Sequence, residues 1–176
     1  MVDSNGTKGL LARSMKQLMC EKNFAKISIS DICEGCGMNR KSFYYHFKDK
    51  YDLMNWIFYT DFITVVGAKA YDNGWELLES VCELFYNDSK FYRSAFKIEG
   101  QNSFKEYLLE SMFPIFSFLF ADEFEGDDSE LIGSMFCEAY IMIVSRWINT
   151  GCKKTSKELI ASVRKFIKNI AANMPD

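Results

Sequence analysis

Apolar residues recur along most of the chain at the three-to-four-residue spacing of amphipathic helices. Near the N-terminus, Leu11, Met15 and Leu18 fall at positions i, i+4 and i+7, which predicts a first helix. The chain contains only two prolines, Pro114 and Pro175, whereas an all-β protein of this length would need many more Gly and Pro turn signals. The pattern therefore predicts an all-α fold.

Capping signals place the next three helices. Ser28, with Asp31 three residues later, has the Ser-x-x-acid form of a capping box, so a second helix begins at the next residue and ends at the glycine turn 35–37. Asn39 is suited to cap a short third helix, and Asp49 to cap a long fourth one. Two short helices joined by a glycine turn and preceded by a longer helix have the proportions of a helix-turn-helix unit.

Polar and glycine-containing breaks divide the rest of the chain into further helices. They are predicted over 74–87, 89–98, 102–121, 128–150 and 155–173. We expect Pro114 to kink the third of these, because its ring removes a backbone donor from the helix interior. The sequence predicts about nine helices, with a small N-terminal unit joined by the fourth helix to a larger C-terminal body.

The predicted third helix carries side chains suited to DNA. Phe43 and Phe47 lie four residues apart and can pack inward. The other faces carry the groups that can reach bases or phosphates, which are Arg40, Lys41, Tyr44 and Tyr45. The net charge of −3 hides an excess of three positive charges in residues 1–58. A cationic, DNA-facing segment is therefore expected at the N-terminus.

The motif that follows the glycine turn is specific. Gly35-Cys36-Gly37 is followed by Phe43-Tyr44-Tyr45-His46-Phe47 and then by Lys48-Asp49-Lys50. Together these residues resemble the N-terminal domain of the tetracycline-repressor (TetR/AcrR) family of transcriptional regulators. In that family the third helix enters the major groove. The resemblance implies a DNA-binding domain over 1–52 and a helical ligand-binding and dimerisation domain over 53–176.

The resemblance also implies which residues contact DNA. By position, Arg40, Lys41 and Ser42 are expected to contact bases. The expected phosphate contacts are Ser30, Asn39, Tyr44, Tyr45 and Lys50. The sequence departs from the family pattern at Cys33 and Cys36, where small residues such as Ala are usual. Cysteine is close to Ala in size, so the packing should survive.

The same two cysteines could be read as half of a zinc or redox site. A structural zinc needs two further ligands, but the chain has no second close cysteine pair and a single histidine, His46. We expect buried small residues instead, with no metal and no cofactor. The sequence also has no phosphate-binding glycine loop and no nucleophile elbow, so an enzyme is not expected.

The location of the protein is expected to be cytoplasmic. No stretch of signal-peptide type is present at the start of the sequence, and the longest nearly apolar run, Met112 to Ala121, is too short to span a bilayer. The six cysteines should then be reduced thiols, and no membrane contact is expected.

Aromatic residues make up 16% of the chain, which suggests either an aromatic-walled ligand cavity or a bulky core. For the cavity, the candidate wall residues are Trp75, Phe85, Phe91, Tyr92, Phe96, Tyr107, Phe113, Phe116 and Tyr140.

The last two predicted helices carry more apolar surface than one neighbour would cover. Six apolar residues in a row, 139–144, require burial on more than one side of their helix. We expect one side to face a second copy of the chain, as in the four-helix dimer bundle that the family resemblance implies; a large single-chain core is the alternative. The candidate dimer residues are Ile143, Trp147, Val163, Phe166 and Ile170.

The expected function is that of a ligand-responsive homodimeric repressor that binds a palindromic operator in double-stranded DNA, with an effector that the sequence does not identify. The stretch from Asn55 to Phe62 is also similar to the branch of the family that contains regulators of dihydroxyacetone-kinase operons. The alternative function is therefore a transcriptional coactivator that acts through a protein partner.

Overall fold

A computed structural model describes residues 4–68, 70–100, 103–119 and 129–173. These residues form nine α-helices and a short 3-10 turn, Phe24–Lys26, and contain no β-strand, which confirms the all-α prediction. The helices are α1 (Ser4–Glu21), α2 (Ile29–Glu34), α3 (Arg40–His46), α4 (Lys50–Gly67), α5 (Gly74–Asn87), α6 (Ser89–Ala95), α7 (Phe104–Leu119), α8 (Ser129–Asn149) and α9 (Ser156–Asn173).

Side-chain caps fix the starts of the N-terminal helices. Ser28 and Asp31 form the expected capping box, in which the Ser28 amide donates to the Asp31 carboxylate at 2.7 Å and the Asp31 amide donates to the Ser28 hydroxyl at 3.1 Å. Asn39 caps α3, and Asp49 caps α4. Each cap satisfies amides that have no partner inside the helix, so these boundaries follow from local sequence.

Two glycines serve different purposes in the turn between α2 and α3. Gly37 has φ of +67°, which side-chain-bearing residues rarely adopt. Gly35 has an ordinary helical φ of −62°, but a Cβ at this position would collide with the hydroxyl of Ser14. That hydroxyl donates a buried hydrogen bond of 2.7 Å to the carbonyl of Ile32. The close approach of α1 to α2 therefore depends on Gly35.

Several helix ends differ from the predicted ones. Helix α1 begins at Ser4, seven residues before Leu11, the first apolar residue of its predicted pattern. Helix α6 ends at Ala95 instead of residue 98. The predicted ends at residues 102, 121 and 128 lie outside the described residues. Helix α7 continues through Pro114. Because proline has no amide hydrogen, the carbonyl four residues earlier loses its helical partner.

A single apolar cluster runs from the N-terminal unit into the body. Leu11, Met15 and Phe43 are fully buried between the first helices, and Phe58 of α4 is fully buried among helices of the body. Helix α4 contacts α1 on one side and both α5 and α7 on the other, so it joins the two parts. Helix α4 thereby connects the unit that contains α3 to the body.

Helix α8 is long and apolar enough, over Glu130–Asn149, to meet the length and composition test for a membrane span. In this fold, however, it packs against α5, α6 and α7, and 44% of that window is buried. Cys137, Val144 and Ile148 are fully buried on its inner side. We therefore assign α8 as a core helix of the body.

Candidate nucleic-acid interface

Helix α3 is anchored by its aromatic residues. Phe43 is fully buried and Phe47 is 3% exposed, with their ring centroids 5.9 Å apart. Phe47 also lies edge-on to Trp56 of α4 at 5.7 Å. These contacts hold a seven-residue helix that is too short to be stable alone.

The outer face of α3 presents the groups that the sequence singled out. Tyr44 is 50% exposed and Tyr45 is 83% exposed, and Arg40 and Lys41 are both exposed. The guanidinium of Arg40 lies 3.5 Å from the Tyr44 hydroxyl and 6.0 Å from the centre of its ring. An exposed aromatic and cationic surface of this kind is suited to phosphates and base edges.

Ser30, Asn39 and Ser42 lie at helix starts. The Asn39 side-chain oxygen accepts the Ser42 amide at 2.9 Å and the Ser42 hydroxyl at 3.2 Å. The NH2 group of the same side chain is the donor that could bind a phosphate. Ser30 is half-buried in the first turn of α2, where helix amides favour an anion.

Lys50 is placed differently from the expected free phosphate ligand. Its ammonium donates to the backbone carbonyls of Phe24 at 2.8 Å, Ala25 at 3.3 Å and Ile27 at 2.9 Å. It also lies 4.5 Å from the centre of the Phe24 ring, and burial lowers the pKa of this amine. All three ammonium hydrogens are therefore engaged, and we assign Lys50 as a structural link between α4 and the 3-10 turn.

Two other lysines extend the cationic surface. Lys48 is exposed two residues after the end of α3, and with Arg40, Lys41 and Lys50 it forms a basic cluster in the sequence. Lys8 of α1 lies 5.6 Å from the centre of the Phe47 ring and 5.5 Å from that of Trp56. No local sequence signal connects Lys8 with α3, because the two are far apart in the chain.

The cysteines of the turn act as packing residues. Cys33 is 2% exposed, and the Cys36 thiol, which is half-buried, lies 3.3 Å from the carbonyl of Ile32. Burial raises the pKa of both thiols, so they stay protonated at neutral pH. Within the described ranges, no group of three or more His, Cys, Asp or Glu side chains is placed to hold a metal ion.

Most of the candidate ligand-wall aromatics fill the core. Phe85 contacts Tyr92 and Phe96 at ring-centroid distances of 4.7 and 5.6 Å, and Phe91 contacts Tyr92 at 4.9 Å. All four are at most 1% exposed. They pack on one another in edge-to-face geometry and belong to the buried apolar core.

The remaining candidates are distributed over other parts of the body. Phe116 and Tyr140 contact each other at 5.7 Å, and the Tyr140 hydroxyl donates to the carbonyl of Leu78 at 3.0 Å. Tyr107 and Phe113 are half-buried at the edge of the core. Trp75 lines a separate groove, so the nine residues do not surround one cavity.

The groove beside Trp75 lies between α5 and α9 and has a volume of about 570 Å³. Ile160 forms part of its wall, and the guanidinium of Arg164 lies 5.9 Å from the centre of the Trp75 ring. Its charged lining residues are Glu76, Glu79, Lys157, Arg164, Lys165 and Lys168.

Large apolar side chains are exposed on α8 and on α9. Among the candidate dimer residues, Ile143 is 38% exposed, Phe166 64% and Ile170 41%, and Val163 is half-buried. The exposed face of α8 also includes residues that the sequence analysis did not select, which are Leu131, Met135 and Met142.

Trp147 does not belong to this face. It is 6% exposed, stacks on Tyr86 at 6.0 Å and donates its indole hydrogen to the carbonyl of Lys154 at 2.8 Å. The expectation that it faces a second chain is corrected accordingly, because its polar and apolar atoms are satisfied within one chain.

The fold and this surface define the class of protein: an all-α regulator with a helix-turn-helix at one end. The profile described as bacterial regulatory proteins of the tetR family matches residues 14–56, and the profile described as a transcriptional regulator C-terminal region matches residues 72–169. The chain therefore belongs to the TetR family of transcriptional regulators. The two profiles and the relative described below are those of transcriptional regulators and not of enzymes.

Among its relatives is the HTH-type dhaKLM operon transcriptional activator DhaS from Lactococcus lactis subsp. lactis (strain IL1403). The two are 30% identical over 105 residues, which are 58% of this chain and 54% of DhaS. The alignment thus spans about half the length of that relative.

Solved structures share the fold over nearly the whole chain. A structure of the dihydroxyacetone kinase operon activator DhaS superposes with a TM-score of 0.68 at 22% identity, covering 93% of this chain and 94% of that one. A regulator of the TetR/AcrR family from Aquifex aeolicus VF5 superposes with a TM-score of 0.66 at 20% identity, covering 94% and 99%.

Proposed function

We propose that this TetR-family regulator is a homodimer that binds a palindromic operator through α3 and acts in the cytoplasm. The observation that carries the proposal is the division of α3 into a buried side, with Phe43, and an exposed side, with Arg40, Lys41 and Tyr44. A helix held from behind with its cationic side outward is the form in which helix-turn-helix proteins read the major groove.

We assign the DNA contacts as the resemblance implied, with one exception. Arg40, Lys41 and Ser42 are the proposed base contacts. The proposed phosphate contacts are Ser30, Asn39, Tyr44, Tyr45 and, in place of Lys50, the exposed Lys48. The proposed division of the chain at residue 52 falls in the first turn of α4, so that α4 belongs mainly to the regulatory domain.

The dimer is proposed from the exposed apolar residues of α8 and α9. Large apolar side chains in water, such as Met142 and Phe166 at 63% and 64% exposure, are unfavourable and are typical of association surfaces. To read a palindromic operator, the dimer would have to hold its two α3 helices about 34 Å apart, one turn of DNA.

We further propose repression as the mode of control, and release by a small-molecule effector. A dimer bound over a promoter excludes polymerase, and an effector that favours another dimer geometry weakens DNA binding through a coupling of about 1–3 kcal/mol. The relative from Lactococcus lactis is described as an activator, so a reporter assay must determine whether this protein represses or activates transcription. The coactivator alternative is not favoured, because that relative is itself described as HTH-type.

The proposal is tested by fluorescence anisotropy of the purified protein with DNA from upstream of its own gene and with scrambled DNA. We expect Arg40→Ala to weaken selective binding about tenfold or more, as for loss of one base contact. Lys97→Ala, which removes an exposed charge beyond the end of α6, is the matched control. Equal binding of both variants would contradict the assignment of α3.

The dimer is tested by sedimentation of the same protein. Phe166→Glu places a charge in the proposed interface, so we expect monomers that bind DNA weakly. Glu83→Ala, at an exposed position of α5, should remain dimeric. A wild-type protein that sediments as a monomer and binds DNA one chain per site would refute the proposed assembly.

A further inference from the structure

One lysine joins the N-terminal unit to the body. The ammonium of Lys16, on α1, lies 2.8 Å from the carboxylate of Asp61 on α4 and 2.9 Å from that of Asp88, which stands between α5 and α6. The buried hydroxyl of Tyr92, on α6, donates to the same Asp61 oxygen at 3.0 Å. These four residues, here called the Lys16 cluster, join α1, α4, α6 and the junction between α5 and α6.

The protonation states of the cluster are well defined. Burial alone would lower the pKa of Lys16, but hydrogen bonds and charge from Asp61 and Asp88 outweigh it, so the pKa lies above its ordinary value. Burial and the charge of Asp61 raise the pKa of Tyr92 well above its usual range. At neutral pH, Lys16 is therefore a cation and Tyr92 a hydrogen-bond donor.

Asp88 contacts Lys16 and does not cap α6. It occupies the N-cap position of α6, where an aspartate usually accepts a helix amide, yet it makes no such capping bond. Its carboxylate instead contacts Lys16. At this position the tertiary contact with Lys16 therefore replaces the local capping hydrogen bond.

Helix α6 connects this cluster with the proposed dimer helices. The Ser94 hydroxyl donates to the carbonyl of Met19, near the end of α1, at 2.7 Å. The neighbouring Arg93 donates from Nε to the carbonyl of Ile148, near the end of α8, at 3.1 Å. A seven-residue helix thus bonds to α1 and to α8 through adjacent side chains. A displacement of α6 would therefore either break these hydrogen bonds or move α1 and α8 with it.

We propose that Lys16 is a positioning residue for operator binding: by holding Asp61 and Asp88 together it fixes α1 against α4 and α6, and so sets the separation of the two α3 helices in the dimer. The inference rests on the proposed DNA-binding function and on the proposed dimer.

The test compares Lys16→Met with Lys22→Met in the full-length protein. Lys22 forms a 2.9 Å ion pair with Asp31 at similar exposure, but both partners lie in the N-terminal unit. Each variant removes one positive charge from that unit, so general electrostatic effects on DNA cancel in the comparison. Lys16→Arg tests rescue by a cation, and Asp88→Asn is a milder second perturbation. Circular dichroism checks that each variant is folded.

Affinity is measured for scrambled DNA and for the upstream DNA fragment that the wild-type protein binds most tightly, here taken as the operator. We expect Lys16→Met to weaken operator binding at least fivefold relative to Lys22→Met, within the usual range for coupled sites. Binding to scrambled DNA should fall equally in both. Lys16→Arg should stay within about twofold of wild type. Asp88→Asn should add nothing to Lys16→Met, since Lys16→Met has already removed the contact that Asp88→Asn weakens.

Hydrogen exchange of the free proteins gives a readout that does not require DNA. In Lys16→Met, but not in Lys22→Met, amides of α6 and of the end of α1 should exchange faster. Equal operator affinity and equal exchange in the two variants would overturn the inference while leaving DNA binding intact. A wild-type protein that does not distinguish the two DNAs would overturn the proposed function and this inference with it.

Discussion

Replacing Lys50 with methionine separates a structural role from a DNA-binding role. Methionine keeps most of the apolar stem but cannot donate to the carbonyls of Phe24, Ala25 and Ile27, which Lys50 contacts at 2.8, 3.3 and 2.9 Å. The substitution also removes the cation 4.5 Å from the centre of the Phe24 ring.

The expected loss of stability follows from these contacts. Hydrogen bonds from a charged donor contribute about 1.5–3 kcal/mol each, and partial exposure reduces the two short ones to about 1 kcal/mol each. The ring contact adds about 0.5 kcal/mol. Burial lowers the pKa of Lys50, which means that the buried charge has a cost that the variant no longer bears. We therefore expect a net loss of about 2 kcal/mol, or a fall in Tm of about 4–8 °C.

Urea unfolding and the salt dependence of DNA binding are the two assays. Lys48→Met is the matched control, because Lys48 is exposed and lies next to the same helix start. We expect Lys48→Met to change stability by less than about 0.5 kcal/mol and to lower the salt slope of binding by about 0.9, the value for one phosphate contact. Lys50→Met should lower the stability by about 2 kcal/mol and leave the salt slope of binding unchanged. If Lys50→Met left stability unchanged and lowered the slope, the structural assignment of Lys50 would be wrong.

Two further predictions concern α1 and α2. Gly35→Ala should destabilise the protein by about 1–3 kcal/mol in thermal unfolding, because the new Cβ displaces the hydroxyl of Ser14 from its buried bond. Gly9→Ala, in the same helix as Ser14 with open space around it, should instead stabilise by up to about 1 kcal/mol, and equal effects would refute the close-contact argument. Hydrogen bonds from Ser28 and the charge of Lys22 hold the pKa of Asp31 far below its ordinary value, so its contribution to stability is present above pH about 4 and is lost as pH falls. The stability difference between wild type and Asp31→Asn should thus shrink below pH 4 in acid titrations of unfolding, and a difference that stayed constant would contradict this.

The starts of the N-terminal helices could be predicted because their causes are local. Ser28, Asn39 and Asp49 each bond to amides two or three residues away, so a short stretch of sequence contains both partners. The exposed side of α3 could be predicted for a similar reason, since Phe43 and Phe47 define its buried side through helical spacing alone.

The roles of Lys50 and of the body aromatics could not be predicted in this way. The carbonyls that bind Lys50 precede it by 23 to 26 residues, and nothing in the spacing of the basic cluster distinguishes it from Lys48. An aromatic residue on a helix has the same periodicity whether it lines a cavity or fills a core. Only the packing of neighbours, as around Phe85, decides between the two.

In the proposed dimer, the exposed apolar residues of α8 and α9 would make the activity of this regulator depend on its own abundance. A single chain leaves Leu131 and Phe166 about two-thirds exposed, so the dimer of our proposal would form by mass action. Well below the dimer dissociation constant, halving the chain concentration reduces the dimer fourfold. Operator occupancy would then fall more steeply than the protein level, and a modest change in synthesis or proteolysis would be converted into a sharper change in transcription.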